Sequence, residues 1–378
     1  MAAATVTWDA LRELAGFRSA NGCALSIYLD LDPSTTPTAA DAGARLRSLL
    51  ARAEKDFGAN GDRSHDAKVA VGRDLERIRS WWTGEFDRDG ARGLALFASA
   101  GDGLWRVLTL PRPVPDGVHL GRELRLTPLV GLAGDGDGAF VVAVSRERGQ
   151  VFRTRAGRLE EVVDRSEEQP GRHDQGGWAQ ARFQRHIDKL VEDHLKTVGG
   201  EIDRRVRRAR GPELVIVAPE ELRGEIEAAL STAARDAIVG WAHAEAHSTP
   251  ADLLDVARPH LERARAARER EALERWREER GRSGRASAGW EETLAAASDG
   301  RVDLLFLEAG AARGAFQCPR CGRATAAAGS CPVDGDEVEA AEGADLAVHH
   351  TLAHGGAVVG LPAGELADAG GVGALLRF

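Results

Sequence analysis

The first part of the chain alternates between short apolar runs and apolar positions at helical spacing. The runs predict strands at 24–29, 93–98 and 104–110. Apolar positions that repeat every three to four residues predict helices at 8–17, 38–56 and 65–87. Pro111, Pro113 and Pro115 then predict a sheet edge or a connection, because proline cannot donate a ladder hydrogen bond. The pattern predicts an N-terminal α/β domain over residues 1–127.

Closely spaced strands open the second part. Strands predicted at 140–145, 150–155 and 159–164 are spaced closely enough to indicate an antiparallel meander. A glycine-containing loop follows, and after it the spacing predicts a helix over 179–198 and a second, charged helix over 200–210. A strand, a helix and a strand are then predicted at 213–218, 219–231 and 236–241. Strands first and alternation afterwards predict a mixed sheet covered by helices, in a central domain over residues 128–247.

The third part begins with a helix start at Ser248-Thr249-Pro250. Arginine and glutamate are interleaved along the helix predicted at 251–280, which is typical of a solvated, salt-bridged helix. Beyond it we predict helices at 289–298 and 344–354 and strands at 302–307 and 357–360. The third part is therefore predicted to be a small C-terminal α/β domain over residues 248–378, with a cysteine segment inserted in it.

Composition limits the class of protein. The 378 residues are 43% hydrophobic and 29% charged, as in soluble globular proteins. No run of about 18 apolar residues could span a bilayer, and the first residues lack the features of a signal peptide. We therefore expect a cytoplasmic protein with no membrane partner. The net charge of −9 argues against a surface that binds nucleic acid all round, but it leaves room for one basic face.

One segment carries positive charge against this balance. Between residues 171 and 210 ten basic residues stand against six acidic ones, an excess of +4. On the helix predicted at 179–198, one face is formed by Phe183, Ile187, Leu190, Val191, His194 and Val198, and the opposite side carries Arg182, Arg185 and Lys189. Two interpretations are open, namely a surface that attracts polyanions and a solvated helix face in an arginine-rich chain. We expect His194 to be a histidine at the core edge.

The residues before and inside this helix resemble a known motif. Gly176-Gly177-Trp178-Ala179-Gln180, followed by Ala181-Arg182-Phe183-Gln184-Arg185-His186, resembles the Gly-Gly-Gln loop of the archaeal and eukaryotic peptide-chain release factors. It is more similar still to the loop of their bacterial relatives and of the Vms/ANKZF-type peptidyl-tRNA hydrolases, which has two residues between the glycines and the glutamine. The order of the three domains also resembles this family, including Pelota- and Balon-like proteins.

The resemblance implies a reaction and a set of partners. Gln180 matches the glutamine that helps to place water against the ester of peptidyl-tRNA, and Gly176 and Gly177 match the glycines that let the backbone approach the terminal adenosine. Phosphates of rRNA or tRNA are expected to contact Arg172, Arg182, Arg185, His186 and Lys189. The ribosome is the implied partner, and a translational GTPase is a further one. Physically, an amide and backbone N–H groups can orient water and stabilise an oxyanion.

Trp178 and Ala179 are inserted relative to the Gly-Gly-Gln loop, and they move Gln180 to the start of the helix. Three functions therefore remain open. The first is a ribosome-associated peptidyl-tRNA hydrolase that acts through the GGxxQ loop. The second is a non-catalytic hibernation, stress or rescue factor that occupies the ribosomal A site. The third, a stand-alone nucleic-acid-processing enzyme, has no acidic metal cluster to support it. The N-terminal domain shows no motif for reading stop codons.

Three of the four cysteines are clustered. Cys318-Pro319-Arg320-Cys321-Gly322 has the spacing of a zinc-binding turn, and Cys331-Pro332-Val333-Asp334-Gly335 repeats it with aspartate in the fourth ligand position. The segment predicts a degenerate zinc ribbon, either with a structural zinc ion on Cys318, Cys321, Cys331 and Asp334 or folded without metal. His349, His350 and His354 are a weaker candidate for a second metal site. Cys23 flanks an apolar strand and is expected to be buried.

Overall fold

The computed structural model describes residues 6–20, 23–59, 64–88, 90–133, 138–155, 157–166, 178–209, 211–245 and 247–378, with the backbone path alone at residues 59 and 178–188. The chain divides into two compact units, one of residues 1–134 with 271–378 and the other of residues 135–270. The described residues form four sheets with helices packed against them, so the predicted α/β class is confirmed. The division into three domains stays a prediction.

The first unit begins with three helices and an antiparallel sheet. The helices are Trp8–Ala15 (α1), Ala39–Ala59 (α2) and His65–Gly84 (α3), and the strands are Ala24–Asp30 (β1), Gly93–Ser99 (β2), Leu104–Leu110 (β3) and Gly117–Gly121 (β4). The strand order is β3-β2-β1-β4. β4 follows the three prolines and forms the edge next to β1, which agrees with the sheet edge predicted there.

Both faces of this sheet are covered, which explains why β1 and β2 read as continuous apolar runs. Leu25 and Ile27 pack with Leu50 of α2 and Ile78 of α3. The side chain of Tyr28 points to the other face and packs in a cluster that includes residues of α1 and of the C-terminal part of this unit. Successive residues of a strand point to opposite faces, so a strand buried on both sides must be apolar throughout.

The second unit is built on a mixed five-stranded sheet. Its strands are Phe140–Val144 (β5), Gly149–Arg155 (β6), Arg158–Asp164 (β7), Leu214–Val217 (β8) and Ile238–Ala242 (β9), in the order β7-β6-β5-β8-β9. β5, β6 and β7 are antiparallel, whereas β5, β8 and β9 are parallel. The predicted meander and the predicted mixed sheet are thus both confirmed.

Helices cover both faces of this second sheet. They are Trp178–Val206 (α4), Arg223–Ala229 (α5), Thr232–Asp236 (α6) and Pro250–Gly281 (α7). Val142 and Ile216 pack with residues of α4, α5 and α6, and Val141 and Val215 pack on the opposite face with residues of α7. Along α7, ion pairs join Arg258 to Asp255, Arg265 to Glu269 and Arg277 to Glu274. The predicted salt-bridged helix is confirmed.

The predicted helix boundary near residue 199 is wrong, because α4 runs without a break through Gly199 and Gly200. The sequence suggested a stop, since paired glycines weaken a helix. At Gly199 the glycine serves helix packing instead. A Cβ atom there would lie 2.5 Å from the carbonyl oxygen of Ala229, whereas one at Gly200 would meet nothing within 4 Å.

This difference between neighbours gives a first prediction. We expect Gly199→Ala to lower the free energy of unfolding by about 1–3 kcal/mol, because α5 must move to admit the methyl group. Gly200→Ala is the matched control and should raise it by roughly 0.5–1 kcal/mol, since alanine favours a helix over glycine. Urea unfolding of the two variants measures both values, and equal shifts of the same sign would contradict the packing described.

The C-terminal part of the first unit contains two helices and seven short strands. The helices are Trp290–Ser298 (α8) and Gly343–Ala353 (α9), and the strands are Ala286–Ala288 (β10), Val302–Glu308 (β11), Gly314–Gln317 (β12), Ala324–Thr325 (β13), Glu339–Glu342 (β14), Ala357–Leu361 (β15) and Val372–Leu376 (β16). One sheet has the order β10-β16-β11-β15 and a smaller one the order β13-β12-β14. The smaller sheet carries the cysteine segment. None of the described helices is long and apolar enough to cross a membrane.

Candidate functional site

The segment that resembles the release-factor loop joins β7 to α4. Arg172, Gly176 and Gly177 lie outside the described residues. Gln180, Arg182, Arg185 and His186 lie on the backbone of α4, and their side chains are outside the described part of the chain. Since α4 begins at Trp178, Gln180 is in its first turn, as the two-residue insertion predicts. The roles given to these residues stay predictions.

Hydrogen bonds fix the strand end that leads into this segment. The Arg165 backbone N–H donates to the carbonyl of Gly149 at 2.8 Å, and the Gly149 N–H donates to the Ser166 hydroxyl at 3.3 Å. The Ser166 N–H in turn donates to the Asp164 carboxylate at 2.8 Å. Hydrogen bonds from Ser166 hold the pKa of Asp164 below its usual value. The chain therefore leaves β7 in a defined position.

One face of α4 is packed against the sheet, as its apolar spacing predicts. Val191, Leu195, Val198 and Ile202 are buried. His194 is also buried, with its Nε2 atom 3.2 Å from the carbonyl oxygen of Arg148, so the prediction of a histidine at the core edge is confirmed. Lys189 is exposed. Where side chains are described, α4 is thus amphipathic.

A buried carboxylate near the end of α4 forms ion pairs with three arginines, and the sequence alone does not predict this cluster. Glu201 is 4% exposed. Its two carboxylate oxygens lie 2.8 Å from Arg165, 2.8 Å from Arg204 and 3.2 Å from Arg205. The hydrogen bond from Arg165 is the largest cause that holds the pKa of Glu201 below its usual value. The sequence indicates this pairing only weakly, because Arg165 lies 36 positions before Glu201 and outside the basic segment of residues 171–210.

The cysteine segment forms two turns with the same backbone hydrogen bonds. In the first, the Cys318 N–H donates to the carbonyl of Arg323 at 2.9 Å and the Gly322 N–H to the carbonyl of Cys318 at 3.0 Å. In the second, the Cys331 N–H donates to Asp336 at 2.7 Å and the Gly335 N–H to Cys331 at 2.9 Å. Gly322 and Gly335 have φ angles of 81° and 79°, which favour glycine. Asp334 thus occupies the position in the second turn that Cys321 has in the first.

The two turns bring the predicted metal ligands together. Ligand atoms of Cys318, Cys321, Cys331 and Asp334 all lie within 4.8 Å of one another. The sulfur atoms of Cys321 and Cys331 are 3.5 Å apart, and the sulfur of Cys318 is 3.3 Å from an oxygen of Asp334. Thiolates and carboxylates are established zinc ligands. This set could therefore hold a metal ion.

The first turn also contacts the N-terminal part of the first unit. Gln317 donates to the carboxylate of Glu123 at 2.8 Å, and Arg18 donates to the carbonyl of Pro319 at 3.3 Å. Glu123 lies 3.6 Å from Nε2 of His349, at the side of a polar cavity of about 580 Å³.

His349, His350 and His354 do not form a metal-ligand group among the described residues. Cys23 is buried, as predicted.

Burial of His349 gives a prediction for acid stability. Burial is the largest cause that lowers the pKa of His349 to about 4, from 6.5 for an ordinary histidine. Between these pH values the unfolded chain binds more protons at this residue than the folded protein, so the contribution of His349 to stability is lost as the pH falls from 6.5 to 4. Burial raises the pKa of Asp345 to about 6, which acts in the opposite direction.

Replacing His349 isolates its contribution. The free energy of unfolding of the wild type falls between pH 7 and pH 4. We expect this fall to be smaller in His349→Gln, by up to about 3 kcal/mol. Urea unfolding at a series of pH values measures this difference. His247→Gln removes an exposed histidine and is the control. The same acid dependence in His349→Gln and in the wild type would contradict the neutral, buried state of His349.

The second unit places the helix α4 after the strand end of a mixed sheet, the first unit carries a separate cysteine segment, and one family model matches part of the chain. Residues 125–281 match the model of the bacterial archaeo-eukaryotic release factor family 10. This range contains the GGxxQ segment and all of α4. This part of the chain is therefore similar to the archaeo-eukaryotic release factors, as the motif predicts. No match is found among curated proteins.

Solved structures with similarity to the chain include two archaeal proteins and one from yeast. The archaeal translation termination factor aRF1 is 15% identical, with 99% of each chain covered and a TM-score of 0.27. Pelota of Archaeoglobus fulgidus is 12% identical, with 99% of this chain and 93% of Pelota covered and a TM-score of 0.35. Dom34 of S. cerevisiae, a translation termination-like factor, is 12% identical, with 78% and 77% covered and a TM-score of 0.32.

Proposed function

We propose that this protein is a ribosome-binding translation factor that hydrolyses the ester of peptidyl-tRNA through its GGxxQ segment. The observation that carries the proposal is the family match, because residues 125–281 include the segment and the helix behind it. The hydrogen-bonded strand end at Asp164–Ser166 and the face of α4 that is packed from Val191 onward support it, since the elements on either side of the segment are held on the sheet. Function is commonly carried by loops on such scaffolds.

In the proposed reaction Gln180 positions the nucleophile. The side-chain amide accepts a hydrogen bond from a water molecule, whose oxygen attacks the carbonyl carbon of the ester. The bond between that carbon and the ribose oxygen breaks, and the products are a free peptide carboxylic acid and a tRNA with a free terminal hydroxyl. Gly176 and Gly177 allow the backbone to approach the terminal adenosine. The ribosome supplies the remaining groups of the site.

Binding to the ribosome is assigned to the cationic side of the segment. In the proposal, Arg172, Arg182, Arg185, His186 and Lys189 contact phosphates of rRNA or tRNA, which position the protein without reading sequence. A translational GTPase is the proposed delivery partner, and the cytoplasm is the proposed location. Dom34 of S. cerevisiae is described as interacting with Hbs1, and archaeal Pelota as ribosome-bound together with ABCE1.

A second candidate function is ribosome binding without hydrolysis, as in a hibernation, stress or rescue factor that occupies the A site. The position of Gln180 in the first turn of α4 favours it, because Trp178 and Ala179 separate the glutamine from the glycines. In that case the segment contacts RNA in the A site but does not position water for hydrolysis.

Release of labelled peptide from ribosome-bound peptidyl-tRNA distinguishes the two functions. We propose to compare the wild type with Gln180→Ala, and to use Gln175→Ala, a glutamine of the same segment outside the motif, as the control. Ribosome co-sedimentation of all three proteins reports binding. Hydrolysis is supported if the wild type and Gln175→Ala release peptide and Gln180→Ala does not. The second function is supported if all three proteins bind ribosomes and none releases peptide.

We further propose that Cys318, Cys321, Cys331 and Asp334 hold a structural zinc ion. The donor set fits, because three sulfur ligands and one carboxylate approach one another in two equivalent turns. Zinc would cross-link the two turns and so stabilise the small sheet. All four ligand positions come from the protein, which suits a structural site better than a catalytic one.

A further inference from the structure

The three arginines around Glu201 carry more positive charge than this carboxylate needs. One guanidinium is enough to neutralise Glu201, and Arg165, Arg204 and Arg205 together leave a net charge of +2 at the cluster. The Arg165 and Arg204 side chains are 50% and 53% exposed, so about half of each side chain is open to solvent. Each guanidinium has five N–H donors in a planar fork that suits phosphate oxygens.

The cluster is also held in place before any ligand arrives. Arg165 directly follows β7, where its backbone N–H is bound to the carbonyl of Gly149, and Arg204 and Arg205 lie near the C-terminal end of α4. Arg205 is additionally bound to the carbonyl of Val162 at 3.3 Å. Arginines that are already ordered lose less conformational entropy on binding than free surface arginines do. Such a cluster is therefore a better anion site than its charge alone indicates.

We propose that Arg165, Arg204 and Arg205 form a site that binds phosphates of an RNA backbone. Glu201 acts as a positioning residue that orients the three guanidinium groups. The site is separate from the predicted basic face near Gln180, because 24 helical residues at about 1.5 Å each place Gln180 and Arg204 about 36 Å apart along α4. The protein thus has an RNA contact at each end of the helix.

This inference deepens the proposed function, since it assigns a second RNA contact to the same unit. It can still be tested without ribosomes. Each phosphate contact contributes about 0.7–0.9 to the slope of log affinity against log salt concentration. We expect the double variant Arg165→Gln/Arg204→Gln to reduce the slope for a fluorescein-labelled RNA hairpin by about 1.5. Fluorescence anisotropy between 50 and 200 mM KCl measures it.

The control is a double variant with the same change of charge elsewhere in the second unit. Arg223 lies 3.1 Å from Glu227 and 3.8 Å from Glu220, and Arg258 lies 3.0 Å from Asp255, so each of these exposed arginines is paired with carboxylates of its own helix region and not with Glu201. Arg223→Gln/Arg258→Gln should leave the slope close to that of the wild type. An equal reduction in both double variants would show that net charge alone acts, and an unchanged slope in the first would also overturn the site.

Chemical modification of the wild type tests the site without a folding risk. Phenylglyoxal modifies accessible arginines, and mass spectrometry gives the rate at each one. We expect the RNA hairpin to slow modification of Arg165 and Arg204 several-fold and to leave Arg223 unchanged; equal rates with and without RNA would overturn the site. If the protein releases peptide but the Arg165→Gln/Arg204→Gln variant binds RNA like the wild type, this inference is contradicted and hydrolysis is not. If RNA protects Arg165 and Arg204 but no peptide is released, hydrolysis is contradicted and this inference is not.

Discussion

Gln180→Ala is expected to lower the rate of peptide release by about 10²- to 10³-fold, the usual loss when one group that stabilises the transition state is removed. In the proposed reaction the amide of Gln180 orients water against the ester carbonyl, and alanine cannot do so. Ribosome binding should change little, because the proposed binding contacts belong to arginine, lysine and histidine. The loss should therefore appear in the release rate under saturating conditions and not in the affinity.

Two further variants define what the result means. Gln175→Ala removes an amide from the same segment and should release peptide at the wild-type rate. Gly177→Ala should also reduce release, because a methyl group at this position obstructs the approach of the backbone to the adenosine. Equal release by the wild type and by Gln180→Ala would contradict the role of Gln180 even if the protein is active. Single-turnover measurements on purified ribosome complexes give these rates directly.

The strands of the second unit could be predicted from sequence because each contains apolar and β-branched residues and they follow one another at close spacing. Strands predicted at 140–145, 150–155 and 159–164 differ by one residue or less at each end from β5, β6 and β7. The local pattern failed where tertiary contacts decide. Gly199 looks like a helix stop, yet the close approach of Ala229 requires glycine inside a continuous helix. Propensity is a weak guide where packing overrides it.

Short strands were missed for a related reason. β16 lies beside Gly370 and Gly371 and contains Gly373, and β10 consists of Ala286-Ser287-Ala288, so neither has a clear strand pattern. Both are strands because they pair with neighbours in the sheet, β10 with β16 and β16 with β11. A propensity scale that describes fit to a half-buried surface cannot detect such segments.

The candidate sites differ in the same way. Cys318, Cys321, Cys331 and Asp334 could be selected from sequence because the spacing of each turn is local, and the structure brings all four together. The cluster around Glu201 depends on Arg165, which is distant in sequence and reaches Glu201 through the fold of the sheet. In the sequence Glu201 is one of six acidic residues between 171 and 210, and nothing local marks its three partners. Pairings of this kind require the tertiary structure.

Removal of the proposed zinc ion is expected to lower the stability of the first unit by about 4 kcal/mol relative to protein in zinc at roughly 1,000 times its Kd, or its midpoint of thermal unfolding by roughly 10 °C. The small sheet of β12, β13 and β14 buries few apolar side chains of its own, with Cys318, Cys331 and Val338 as its buried cluster. Without a cross-link, little else holds the two turns together. The effect should extend to the N-terminal part of the unit, because Arg18 and Glu123 contact the first turn.

Metal content and stability of three variants test this expectation. Cys318→Ser should lose zinc and reproduce the stability of chelator-treated wild type. Cys23→Ser is the matched control, because Cys23 is buried outside the cluster and its replacement should leave the zinc content unchanged. Asp334→Cys completes a four-thiolate set and should bind zinc more tightly than the wild type in competition with a chelator. Wild-type protein that contains no zinc and gains no stability when zinc is added would show that the two turns fold without metal.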